Sequence, residues 1–272
     1  MVIVSLYFFQ PILIFWGLTK SPINYEFVAS PFIYLVIVLI TLLLLIFINK
    51  RIFIDRTEQS IYLASSLVGN TGNLGIPLGI ALFGIESVPY TSIINIGNTL
   101  FIYIFSVYFF ARDQFSIKQA IISIMKIPGI WFALLALIIN YNGITINKHI
   151  YSALEMGAYT SMVIQLLIFG IYLYSVKIKS IPWHLSLHIS FVKHILLPFV
   201  GIIIVLCFTN LNSFVASILI MELMVPLAVN NVNLAALYNC KPFDVAATIL
   251  ISSSLFVMFL YFYIEVINYF IK

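Results

Sequence analysis

Polar side chains are gathered inside two segments that are otherwise apolar enough to cross a membrane. The first is the stretch 65–84, which contains Asn70, Thr71 and Asn73 among closely spaced glycines and Pro77. Amide and hydroxyl groups can donate hydrogen bonds to a carboxylate, and a broken helix adds free backbone N–H groups and the positive end of a half-helix. We therefore predict that these three side chains bind a small anion.

The second segment, 213–238, contains Glu222, which is the only acidic residue near the centre of an apolar stretch. A carboxylate at the bilayer centre costs about 2.5–3.5 kcal/mol on insertion scales, and such residues usually serve ion or substrate pathways. Because Glu222 could exchange a proton or ligate sodium, we predict that it holds the coupling ion. Asn230 and Asn231 follow Pro226, and we predict that both contact the substrate.

Each candidate also has a simpler structural interpretation. The polar side chains of the first segment could only satisfy backbone groups that a broken helix frees, and Glu222 could be a protonated, hydrogen-bonded structural residue. Gln10 and Gln165 either line the path or hydrogen-bond between helices. The clustering of polar residues at matching positions in two spans favours function. The predicted breaks of the crossing helices are Gly72, Gly75, Pro77 and Pro226.

The composition excludes a soluble protein. The chain is 63% hydrophobic and only 8% charged, whereas a soluble domain carries roughly 25% charged residues. We predict an all-α polytopic membrane protein with a single transmembrane domain over 1–272. Two isolated cysteines indicate neither a disulfide framework nor a zinc site. No catalytic triad pattern, phosphate loop or HExxH motif is present, so no enzyme, cofactor, metal or nucleic-acid partner is predicted.

About 20 apolar residues cross the hydrocarbon core as a helix, and nine segments meet that length approximately. The third and the eighth are the two interrupted ones. The predicted spans are about 2–18, 31–49, 60–84, 88–110, 125–141, 152–174, 190–209, 213–238 and 243–266.

The two interrupted spans indicate an internal repeat. Pro77 and Pro226 are 149 residues apart, and Pro89 and Pro242 are 153 apart. These similar offsets predict a first repeat over about 1–112, which lacks one helix, and a second over about 122–272. An odd number of spans per repeat inverts one unit relative to the other, as in alternating-access transporters.

The run Gly69-Asn70-Thr71-Gly72-Asn73-Leu74-Gly75-Ile76-Pro77 resembles the signature of the auxin efflux carrier family. Val225-Pro226-Leu227-Ala228 with Leu234-Ala235-Ala236-Leu237-Tyr238 resembles that family's second crossing helix. The resemblance implies two inverted five-helix repeats whose fourth helices are broken and cross at the membrane centre. Its bacterial members are organic-anion carriers, often malate or malonate permeases. Compared with that pattern, we expect this chain to lack the family's first helix and the long hydrophilic loop of the plant members.

Lysine and arginine are distributed unevenly between the two sets of loops, and the richer set is predicted to be cytoplasmic. The count is ten against three when Lys193 is included, because we expect its side chain to snorkel to the richer side. The richer set otherwise comprises Lys50, Arg51, Arg56, Arg112, Lys118, Lys126, Lys177, Lys179 and Lys241, and the poorer set Lys20, Lys148 and Lys272.

Four residues near the start of the seventh predicted span, Trp183, His184, His188 and His194, are predicted to anchor it at the membrane interface. Histidines at these positions would need further ligands to hold a metal or haem, and the sequence offers none.

The predicted function is alternating-access transport of a small mono- or dicarboxylate across a bacterial plasma membrane, with a proton as one candidate coupling ion. A sodium-coupled symporter of the bile-acid type is the alternative within transport, and a non-transporting sensor or subunit is the alternative outside it. The expected partners are the anion, a proton or sodium and the lipid bilayer, and a homodimer stays open.

Overall fold

The computed structural model describes residues 4–19, 23–111, 118, 122, 125–174 and 181–271, and nearly all of them are helical. Within these ranges there is no β-strand, and a single antiparallel bridge joins Gly69 to Leu227. The chain is thus an all-α protein in its described part.

The first half contains five helices, three of which adjoin a π-helical turn. They are α1 (Gln10–Leu18, after the π turn Ser5–Phe9), α2 (Tyr25–Ile52), α3 (Arg56–Ser65), α4 (Ile76–Phe83, after the π turn Thr71–Gly75) and α5 (Val88–Phe101, continued by the π turn Ile102–Ser106 and Val107–Ala111).

The described residues of the second half contain seven helices, and one π turn joins two of them into a continuous rod. They are α6 (Pro128–Tyr141), α7 (Lys148–Tyr174), α8 (Trp183–Phe191, followed by the π turn Val192–Leu196), α9 (Leu197–Phe208), α10 (Ser213–Met224), α11 (Asn230–Leu237) and α12 (Pro242–Ile271).

In the described part of the chain, four continuous helical rods are long and apolar enough to cross a membrane: Tyr25–Ile52, Ile85–Ala111, Trp183–Phe208 and Pro242–Phe270. At 1.5 Å per residue, rods of this length reach roughly 40 Å, more than the hydrocarbon core of about 30 Å. Shorter apolar helices, among them Thr71–Phe83 and Ser213–Met224, accompany them. The chain is therefore a multi-pass membrane protein.

Several helices begin at side-chain caps. Asn24 accepts a hydrogen bond from the backbone N–H of Phe27 at 2.9 Å, and Asn212 accepts one from Val215 at 2.9 Å. Each cap satisfies one of the N–H groups that the first turn of a helix leaves free. The caps thereby fix the starts of α2 and α10, the helix that leads to the second interruption.

Helix α10 occupies the centre of the molecule. All its residues from Val215 to Met224 are buried, and it packs against α2, α5, α9 and α12. A helix that is apolar on every side is expected in the interior rather than at a surface. Helix α1 packs against both α6 and α7, and these three form a second group.

One face of the molecule gathers loops that are predicted to be cytoplasmic. Lys241 Nζ lies 2.7 Å from Asp55 Oδ2 and 3.5 Å from Glu58 Oε1, and the Phe53 and His184 rings lie 5.1 Å apart. These loops therefore lie on the same side. Which side is cytoplasmic stays a prediction. Five of the charged residues on which that prediction rests lie outside the described residues, namely Lys20, Arg112, Lys177, Lys179 and Lys272.

Candidate functional site

The two interrupted helices meet at their breaks. Helix α3 ends at Ser65 and α10 at Met224, and the non-helical stretches 66–70 and 225–229 run antiparallel to each other. The Asn70 N–H donates to the Pro226 carbonyl at 2.8 Å, and the Ala228 N–H donates to the Val68 carbonyl at 3.0 Å. In a bilayer core, backbone groups need partners inside the protein, and here each break supplies partners for the other.

The residues predicted to break the helices have different positions relative to the interruptions. Pro226 lies within the second interruption, whereas Gly72 and Gly75 lie in the π turn that follows the first. Pro77 lies at the start of α4, directly after the π turn, inside the continuous helical run Thr71–Phe83, and it lacks the N–H that a helical hydrogen bond would use. The first interruption therefore precedes the glycines of the π turn and Pro77.

Three glycines of the first segment make room for polar side chains from other helices. A Cβ atom at Gly69 would lie 2.7 Å from Lys193 Nζ, and one at Gly72 would lie 3.0 Å from Asn95 Oδ1. At Gly75 it would lie 2.6 Å from Glu222 Oε1. The absence of a side chain at these positions thus lets charged and amide groups approach the crossing.

Thr71 belongs to a closed hydrogen-bond network. Its hydroxyl donates to Asn95 Oδ1 at 2.8 Å and accepts from Asn98 Nδ2 at 2.9 Å. Asn98 Nδ2 also donates to the Gly69 carbonyl at 2.9 Å, and Asn98 Oδ1 accepts from the Tyr34 hydroxyl at 3.1 Å. Sequence reasoning missed Asn95 and Asn98, although two amides three residues apart in the apolar α5 were a visible signal.

The four predicted asparagines differ in environment. Asn70 and Asn231 are buried, and the side-chain nitrogen of Asn70 and both amide atoms of Asn231 have no hydrogen-bond partner. Asn73 is half-buried and Asn230 is exposed. The amides of Asn70 and Asn231 thus have unused hydrogen-bonding capacity inside the protein, while those of Asn73 and Asn230 lie nearer its surface.

Asn230 contributes to a small cavity between the two groups of helices. Gln10 of α1, Thr99 and Tyr103 of the α5 rod, and Gly129 of α6 also line it, together with several isoleucines. Its volume of about 40 Å³ has room for a few waters. Gln165 lies elsewhere, buried in α7, and donates to the Ser161 hydroxyl at 2.9 Å.

Glu222 and Lys193 are completely buried at the crossing. Neither carboxyl oxygen of Glu222 nor the ammonium nitrogen of Lys193 has a hydrogen-bond partner, and the two charges are close enough to interact. The prediction that Lys193 snorkels is wrong. Its helix starts at Trp183 instead of near residue 190, so Lys193 lies ten residues into it, a depth of about 15 Å.

The interfacial prediction for His194 is also wrong, and for the same reason. Its ring is buried beside α12, with Nε2 2.9 Å from both the carbonyl and the hydroxyl oxygen of Ser252. That hydroxyl accepts a hydrogen bond of 3.2 Å from the Leu227 N–H. His194 and Ser252 therefore support the second interruption from behind.

His184 lies at the surface beside Phe53. Among the described residues, no group of three or more His, Cys, Asp or Glu side chains could hold a metal ion. The chemistry of the crossing is thus that of amides, one carboxyl and one ammonium group.

A protein-family model described as membrane transport protein matches residues 2–264, which is nearly the whole chain. A search of the curated proteins finds no match.

Proposed function

This chain belongs to the membrane transport protein family, and we propose that it carries a small organic anion by alternating access. The observation that carries the proposal is the crossing of two interrupted segments joined by backbone hydrogen bonds. Transporters build midplane sites from such discontinuous helices, whose free N–H groups and half-helix ends bind ligands and ions. The buried, unpaired polar groups beside this crossing support the same function.

We further propose nine membrane spans arranged as two inverted repeats, about 1–112 and 122–272. In each half, a helix, an interruption, a short helix and a long helix follow in the same order, α3 to α5 and α10 to α12. The two interruptions run antiparallel, which is the relation that a twofold axis in the membrane plane would generate.

The proposed substrate site comprises Asn70, Thr71, Asn73, Asn230 and Asn231. The free side-chain nitrogens of Asn70 and Asn231 could each donate to a mono- or dicarboxylate, whereas the exposed Asn230 would meet it in the cavity beside α1. Because that cavity has room for only a few waters, substrate entry requires the two groups of helices to separate.

Glu222 is the proposed coupling residue, with a proton as the ion it carries. Sodium is the second candidate, because a buried carboxylate with two unpaired oxygens could also ligate a cation, as in a bile-acid type symporter. A sensor or subunit that transports nothing is the alternative outside transport. Location in a bacterial plasma membrane and assembly as a homodimer are further proposals.

The test is counterflow in proteoliposomes with a panel of mono- and dicarboxylates. We expect the wild type to exchange at least one of them. Asn70→Ala should raise the substrate concentration that gives half-maximal exchange about tenfold, which is the loss expected for one buried hydrogen bond to a charged group. Asn268→Ala, an exposed asparagine of α12, is the matched control. A folded wild type that exchanges no carboxylate would contradict the proposal.

A further inference from the structure

Lys193 and Glu222 stand apart from every other charged residue of the described chain. They are the only Lys, Arg, Asp or Glu side chains there that are buried, and both lie at the crossing. A charge inside a membrane protein needs a counter-charge or hydrogen bonds, because the low-dielectric surroundings do not solvate it. Neither group has a hydrogen-bond partner in the described chain.

The two groups approach the same short segment from different helices. Lys193 lies in the π turn that follows α8 and contacts Gly69, whereas Glu222 lies in α10 and contacts Gly75. Gly69 directly precedes Asn70, and Gly75 ends the π turn that follows it; the side-chain nitrogen of Asn70 is also unpaired. The ammonium, the carboxyl group and a free amide therefore surround the first interruption.

Two further titratable groups face this pair. The Tyr34 hydroxyl of α2 interacts with the Glu222 charge, and it is already committed to Asn98. The His194 ring interacts with Lys193 and is committed to Ser252. Tyr34 is therefore satisfied, whereas Lys193, Glu222 and the Nδ1 of His194 have hydrogen-bonding capacity without a partner. Of these three, Lys193 and Glu222 are the two that contact the first polar segment.

We infer that Lys193 binds the carboxylate of the transported anion. The positive charge of Lys193 is then neutralised by Glu222 when the site is empty and by the substrate carboxylate when the site is loaded. The inference rests on the proposed function and deepens it. Lys193 has three N–H donors without a partner, and a charge-assisted hydrogen bond from an ammonium to a carboxylate is among the stronger polar contacts in proteins.

Charge balance then gives the stoichiometry. In the empty site, ionised Glu222 neutralises Lys193. When a substrate carboxylate binds Lys193, two carboxylates face one ammonium, so Glu222 takes up a proton from the water on the open side. One monocarboxylate therefore moves with one proton, and the site stays neutral. A sodium ion bound to ionised Glu222 would balance the charge equally, so the experiment has to separate proton from sodium coupling.

The experiment compares Lys193→Met and Glu222→Gln with the wild type in proteoliposomes. For Lys193→Met we expect half-saturation in carboxylate counterflow to rise about tenfold to a hundredfold, as for a lost hydrogen bond to a charged group. Lys126→Met, at an exposed position, is the control and should not change it.

For Glu222→Gln we expect counterflow to persist, while a pH gradient no longer drives uptake. The variant site is positive when empty and neutral when loaded, so net uptake becomes sensitive to a membrane potential set with potassium and valinomycin. Wild-type uptake of a monocarboxylate should be insensitive to that potential. This readout decides the inference even where Lys193→Met does not fold.

The outcomes separate the two proposals. A wild type that exchanges no carboxylate overturns the proposed function together with this inference. A wild type that exchanges carboxylates overturns the inference alone in either of two cases: folded Lys193→Met retains the wild-type half-saturation, or net uptake by Glu222→Gln is insensitive to membrane potential. Sodium-dependent wild-type uptake at constant pH would also overturn it.

Discussion

The two interruptions differ in how completely their polar groups are satisfied. At the first, Thr71, Asn95, Asn98 and Tyr34 form a closed network that also holds the Gly69 carbonyl. At the second, Ser252 and His194 support a single backbone N–H, that of Leu227. The neighbouring helices α10 and α11 carry Glu222 and Asn231, which have no hydrogen-bond partners.

This contrast indicates that the two interruptions, 66–70 and 225–229, differ in rigidity. A satisfied buried network rigidifies its surroundings, whereas unpaired buried groups cost free energy unless a ligand, an ion or a proton completes them. The first interruption is therefore the more rigid side of the crossing, and the unpaired groups beside it are the amide nitrogen of Asn70 and the Lys193 ammonium against Gly69. The second is the side whose groups would change partners during transport.

The largest expected effect comes from filling the space where the two sides meet. Gly75→Val places a branched side chain where the Glu222 carboxyl group lies, so either Glu222 or the π turn must move. We expect transport to fall by at least about a hundredfold, with a stability loss of about 1–3 kcal/mol for overpacking. Counterflow and thermal unfolding of the purified protein measure the two effects.

Gly170→Val is the matched control, because a Cβ atom at Gly170 of α7 would meet nothing within 4 Å. It should leave both transport and unfolding close to those of the wild type. Wild-type transport by Gly75→Val would contradict the close approach of Glu222 to the first interruption.

The next effect tests the rigid side. Asn98→Ala removes the donor to the Gly69 carbonyl and to the Thr71 hydroxyl, and the acceptor for Tyr34. Leaving such buried groups without partners costs about 1–3 kcal/mol. We expect a lower unfolding temperature of the purified protein. Unchanged stability would show that water replaces the lost partners.

At the second interruption we expect a smaller change in unfolding stability, and in the opposite direction. Asn231→Ala deletes a buried amide whose two polar atoms have no partner, so unfolding stability should stay the same or rise. The half-saturating substrate concentration should rise about tenfold if the amide binds the anion. If Asn231→Ala were less stable than Asn98→Ala, the proposed difference between the two interruptions would be contradicted.

Part of this arrangement was predictable from the sequence. The apolar composition and the membrane class depend on residue type alone, and the polar run around Pro226 marked the second interruption. The depth of Lys193 was not predictable, because it depends on where α8 begins, and apolar residues on both sides of position 190 hide that boundary. The closed network was missed because its hydrogen-bonded partners are 24 to 64 residues apart in the chain.

The smallest expected effect concerns the surface contact between the two interrupted helices. Asp55 caps α3, which leads to the first interruption, and pairs with Lys241, which follows α11. The hydrogen bond from Lys241 lowers the pKa of Asp55 below its ordinary value of 3.8. The ionised form is therefore favoured by folding. Its stabilising contribution is complete above that ordinary value and disappears as the pH falls through the lowered pKa.

Asp55→Asn keeps an oxygen for the cap on the Thr57 N–H and removes only the charge. Because both partners are largely exposed, we expect the free energy of unfolding at neutral pH to fall by less than about 1 kcal/mol. The difference from the wild type should vanish well below pH 4. A double-mutant cycle with Lys241→Met isolates the pair. A coupling as large as the Asn98→Ala loss would mean that the surface contact, and not the buried network, holds the crossing together.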